Sequence, residues 1–94
     1  EQDLDEVFPV MAVLEGKVAE EATRRATSAD FQNLQRIHDE LEQYAHANDV
    51  DRFFDANQRF HSALQDIAAN RYLGQLIDDA RKVITLTRRD SLRL

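Results

Sequence analysis

The sequence predicts an all-α protein, an antiparallel bundle of four helices, on three observations. Apolar residues recur at spacings of three and four along nearly the whole chain, the period of one helical face. The 94 residues include only two glycines and one proline, too little punctuation for the many tight turns of a sheet protein. Each periodic stretch stops at a short link carrying capping residues, which predicts abrupt helix ends and antiparallel neighbours.

The first helix carries Leu4, Val7, Met11, Leu14, Val18, Ala22 and Ala26 on one face. Pro9 lies within its first turns, where a missing backbone donor either caps a short lead-in or kinks the helix. Thr27-Ser28-Ala29-Asp30 then has the spacing of a capping box, with aspartate in the usual glutamate position. It opens a second helix expected to bury Phe31, Leu34, Ile37, Leu41 and Tyr44. Asn48 and Asp49 are suited to end that helix and cap the next. A third helix sets Val50, Phe53, Phe54, Asn57, Phe60, His61, Leu64, Ile67 and Ala68 on one broad stripe, with Asn70 expected to close it. The fourth places Leu73, Leu76, Ile77, Ala80, Val83, Ile84 and Thr87 on one face, ahead of the charged Arg88-Arg89-Asp90.

Composition narrows the function classes. A formal net charge of -6 is the wrong sign for wrapping nucleic acid, whose affinity comes largely from neutralised phosphates. No cysteine is present, so a disulfide framework and a thiolate metal site are both ruled out, and a reducing cytoplasm is the expected setting. No apolar run approaches the roughly 20 residues that cross a bilayer, so no membrane association is expected. The length fits one domain, residues 1–94, with a modest core and no DNA-binding domain. Because the chain starts at Glu1 and stops at Leu94 straight after a helical pattern, it is expected to be a segment of a longer protein. Such a segment should leave apolar surface uncovered and associate with itself or a neighbour.

Asn57 and His61 carry the chemistry. Four residues apart on one helical face, they sit among Phe53, Phe54, Phe60 and Leu64, which predicts that both point into the bundle. A polar group buried there without a partner costs about 1–3 kcal/mol, so a helix backbone, a water, a metal or a ligand must satisfy each. Spacing alone leaves those alternatives open. His38 at a stripe edge and His46 near a helix C-terminus read as structural, as do Arg24 and Arg25. Arg81, Arg88 and Arg89 could reach a carboxylate through forked hydrogen bonds, although surface solvation is the favoured reading of each. A di-iron bundle would need Glu-x-x-His pairs, and the residues three before the histidines are Gln35, Gln43 and Gln58. Gly16 and Gly74 are isolated within helices, so no phosphate loop exists and no enzymatic activity is expected.

Three stretches in order resemble the effector-binding domain of the FadR branch of GntR transcription regulators, the FCD domain. Leu14-Glu15-Gly16, with Ala19, Ala22 and Arg25-Ala26-Thr27, is similar to that family's opening helix and its exit. Asn57-Gln58-Arg59-Phe60-His61 is similar to its Asp/Asn-x-x-Phe-His signature, and Ala69-Asn70-Arg71-Tyr72-Leu73 follows where the family has an asparagine and a leucine. The resemblance implies a larger helical bundle, four of whose helices are present, that holds a small effector, commonly an organic acid, often beside a divalent metal such as zinc or nickel. It implies His61 as a metal ligand and Asn57 as a second ligand or an effector contact; Arg81, on its own chemistry, is the further expected effector contact. The remaining histidine ligands are expected beyond Leu94. Two departures stand out: Asn57 replaces the family's frequent aspartate, and Met11 stands where many relatives have arginine.

The resulting expectation is a ligand-sensing, dimerising domain of a cytoplasmic DNA-binding regulator. It would form a homodimer and reach DNA only through a winged-helix domain absent from this chain. A ligand-free helical interaction module is the rival reading.

Overall fold

Hydrogen bonds at three short links divide the chain into four helices: α1 (Gln2–Arg25), α2 (Ser28–His46), α3 (Val50–Ala68) and α4 (Arg71–Arg93). The computed structural model describes the backbone of residues 2–93 and the side chains of residues 4–87. At the first link the capping box forms as expected. The Thr27 hydroxyl accepts from the Asp30 N–H at 3.1 Å, and the Thr27 N–H donates to Asp30 Oδ2 at 2.9 Å. At the second, Asn48 takes a left-handed conformation (φ 55°), with its N–H on Ala45 O and the Asp49 N–H on Tyr44 O. This is the Schellman arrangement, which satisfies the last carbonyls of α2. The Asp49 side chain then accepts from the Arg52 N–H and caps α3.

The third link differs from expectation. Asn70 does not close α3; its side-chain oxygen accepts from the Leu73 N–H at 3.0 Å and caps α4 instead. Ala69 ends α3, in the left-handed region at φ 55° and ψ 36°. A Cβ is disfavoured there by about 1–2 kcal/mol. Ala69→Gly is therefore expected to raise stability by roughly 1 kcal/mol, seen as a higher urea midpoint at an unchanged denaturant slope. Pro9 neither ends α1 nor delays its start: the helix runs through it, with the ring on the exposed side.

The close helix pairings are α2 with α3, and α1 with both α3 and α4. Despite the two-residue link, α1 and α2 do not pack closely. The main core forms where α1, α3 and α4 meet, from Met11, Val18, Ala68, Leu73, Ile77 and Ala80, with Val7, Leu14, Leu64 and Ile84 against it. Between α2 and α3 the buried residues are Ile37 and Ala56. Ala56 is fully buried, and its single methyl is what lets the two backbones approach; the apolar stripe had not singled it out. Arg59 ties the same pair together through a two-pronged ion pair to Glu40, at 3.1 and 3.3 Å.

The principal extents of the bundle are 46 × 34 × 16 Å, a flattened slab. That shape explains where the expected core fails. Phe31, Val50, Phe53, Phe54, Leu76 and Val83 lie on the right faces for burial but remain exposed, because no further layer covers those faces. The expectation of uncovered apolar surface is met.

Candidate functional site

Three helices converge on one cleft. From α1 come Glu15, Val18 and Ala19; from α3, His61, Leu64 and Gln65; from α4, Ile77 and Arg81. It encloses about 170 Å³ and is more enclosed than the other clefts between the helices. Its origin is topological: α3 and α4 each pack on α1 and make no comparably close approach to one another, so a gap remains between them. Helical period then sorts the lining. Val18, Leu64 and Ile77 give the cleft an apolar floor, while the polar ends of Glu15, His61, Gln65 and Arg81 gather around it. Gly74 on α4 leaves room for Gln65, since a Cβ at that position would sit 3.3 Å from Gln65 Oε1.

His61 and Arg81 thus line one cleft. The imidazole Nδ1 lies 3.9 Å from Glu15 Oε2, and the His61 and Glu15 side chains are 26% and 41% exposed. The Phe60 ring stands edge-on to the imidazole, with centroids 6.5 Å apart. Arg81 has no carboxylate within ion-pairing distance among the described residues, whereas Arg24, Arg25 and Arg59 do. Asn57, one turn before His61, is half-buried and stands outside the lining of the cleft. Arg88 and Arg89 have side chains outside the described residues. His38 pairs with Glu42 at 3.4 Å on the surface, and His46 is exposed in the last turn of α2.

The expectation that Asn57 and His61 point into the bundle is met only in part, since both are half-buried. No polar side chain among the described residues is fully buried, and none of the buried nitrogens or oxygens lacks a partner. Asn57 and His61 therefore carry no buried polar atom left without a partner. Glu15, quoted above only as part of an opening-helix pattern, is the carboxylate that faces His61. Its signal in the sequence was position: it follows Leu14 and precedes Val18 by three, at the edge of α1's buried face.

The cleft sets one cation, Arg81, and one carboxylate, Glu15, beside His61. Partial burial lowers the His61 pKa below its ordinary value of 6.5, and the Arg81 charge lowers it further, against the opposing pull of Glu15. An unfolded chain therefore holds its proton on His61 to a higher pH than the folded one. Between the two pKa values the unfolded state binds more protons, so stability falls as the pH drops through 6.5 and levels off below the folded value. Urea melts between about pH 8 and pH 5 should show this acid loss, and His61→Gln should remove the His61 share of it. Equal slopes for the two proteins would contradict the placement of the ring.

For a metal the arrangement is incomplete. Among the described residues no three His, Cys, Asp or Glu side chains converge, and in the cleft only His61 and Glu15 face one another. Arg81 beside them repels a cation. The described residues by themselves do not fit a divalent metal.

A four-helix fold, a polar-edged cleft at its three-helix junction and a half-buried histidine within a Phe-His pair describe the chain structurally. The family model for the FCD domain matches residues 6–94, all but the first five. The chain belongs to the FCD domain family. FCD domains are the C-terminal effector-binding domains of GntR/FadR-type transcription regulators. FCD domains bind small-molecule effectors, and this one has no helix among its described residues long and apolar enough to cross a membrane. No curated protein and no solved structure matches the chain.

Proposed function

We propose that this FCD domain senses a small organic acid in the cleft between α1, α3 and α4. One observation carries the reading: Arg81 lines a half-enclosed cleft beside His61 and makes no ion pair with a carboxylate among the described residues. A guanidinium offers a planar fork of donors that fits a carboxylate at two points, and the imidazole adds a third donor when protonated. Asn57 joins the site where an effector extends past the imidazole along α3. Exposed apolar residues such as Leu76, Val83 and Leu86 on α4 give the domain a face for a second copy. In the homodimer, a shift of α1 or α4 would alter the spacing of two winged-helix DNA readers. That coupling requires the effector to bind two arrangements of the helices unequally, since equal binding shifts nothing. A zinc or nickel ion at His61 belongs to this reading only with ligands from outside the described residues.

Thermal melting of the intact protein against a panel of small carboxylates is the test. An effector at 100 times its dissociation constant adds about 2.7 kcal/mol, on the order of 10–20 °C for a chain of this length. His61→Ala is expected to reduce that gain. Stabilisation by zinc or nickel alone, reversed by a chelator, would move the reading to a metal site. A curve unmoved by every acid and metal would favour the ligand-free interaction module.

A further inference from the structure

Glu15 is the one feature of the cleft that an acid-binding site does not account for. A carboxylate seated on Arg81 and His61 comes to rest in the same 170 Å³ that Glu15 lines. Glu15 already lies 3.9 Å from the imidazole. Two carboxylates sharing a small, partly desolvated space repel one another, so a simple fatty acid meets a penalty there. An acid that also carries a hydrogen-bond donor reverses the sign: its hydroxyl or ammonium meets the Glu15 oxygen while its carboxylate meets Arg81. Size sets a second limit. Pockets for drug-sized ligands run to about 300–1,000 Å³, so this cleft suits only a few non-hydrogen atoms. Val18, Leu64 and Ile77 leave one wall apolar, which suits a short alkyl group.

We propose that Glu15 is the specificity-determining residue of the cleft, selecting short carboxylic acids that carry a hydroxyl or ammonium donor beside the carboxylate. The inference rests on the reading of this cleft as the effector site. It sorts the three-carbon acids lactate and alanine, which carry the donor, from propionate, which does not.

Calorimetric titration of the intact protein with propionate, lactate and alanine tests it. Lactate or alanine should bind about tenfold or more tightly than propionate, the worth of one hydrogen bond to a charged group. In Glu15→Ala the gap should close, with propionate binding as well as before or better. Glu15→Gln keeps an acceptor without the charge, so it distinguishes the two donors: lactate binding survives it, whereas alanine loses its ammonium partner. Three acids that bind equally to the wild type and to Glu15→Ala, yet lose affinity together in Arg81→Ala, would overturn the selection by Glu15 and leave the effector site standing. Acids that bind equally to the wild type and to Arg81→Ala would remove the site itself, and this inference with it.

Discussion

Replacing Ile77 by alanine is expected to cost about 2–5 kcal/mol of folding free energy. Ile77 is the largest fully buried side chain of the described residues, 1% exposed at the junction of α1, α3 and α4. Its neighbours decide how much of the loss can be recovered. Ala68 and Ala80 are too short to reach into the space, and Leu73 and Val18 are held on rigid helical turns. Met11 alone is flexible enough to fill part of it. We therefore expect about 3 kcal/mol, a large share of the 5–15 kcal/mol that typically holds a domain together. Melting should fall by roughly 4–8 °C for each kcal/mol lost, while Ile77→Val should cost only about 0.5–1.5 kcal/mol. Because Ile77 also floors the cleft, the alanine variant widens the site as well as weakening the core. A loss below about 1 kcal/mol would mean that the three-helix junction is not the core of the molecule.

The residues that made the fold legible and those that hid the site follow from one physical difference. Helix positions depend on interactions between near neighbours in sequence. The Thr27–Asp30 box, the Asp49 cap and the period of Met11, Val18 and Ala22 could all be read directly, and all stand where expected. Burial depends on what covers a face, which periodicity does not encode. Phe31, Phe53, Phe54, Leu76 and Val83 have the spacing of core residues and lie exposed, because a slab this thin covers only some of its helical faces. Asn70 was legible as a capping residue but not as to which helix it caps. The site divides in the same way. His61 was marked by its setting in the helix, but its companions Glu15 and Arg81 come from 46 residues before and 20 after it, and only the packing of α1 against α3 and α4 joins them. Asn57 was singled out because it shares a helical face with His61. Four residues is one full turn, however, and the cleft ends within that turn.

Arg81→Ala is expected to weaken binding of a small carboxylate by about 10- to 100-fold, the loss of hydrogen bonds between charged partners in a half-enclosed site. Stability should barely change. Arg81 makes no ion pair among the described residues, so its removal leaves no carboxylate behind without a partner. A second readout separates the charge from the fork. The Arg81 charge holds the His61 pKa down, so in Arg81→Ala the imidazole should titrate at higher pH, observable from its ring resonances in NMR. Arg81→Lys keeps the charge but not the planar donors, and should leave that titration near the wild-type value while restoring only part of the affinity. Loss of affinity with an unmoved histidine titration would place Arg81 away from the ring. A shifted titration with unchanged affinity would make Arg81 a neighbour of His61 that no ligand uses, and the anion would have to bind elsewhere. Only the two changes together put guanidinium, imidazole and ligand in one cleft.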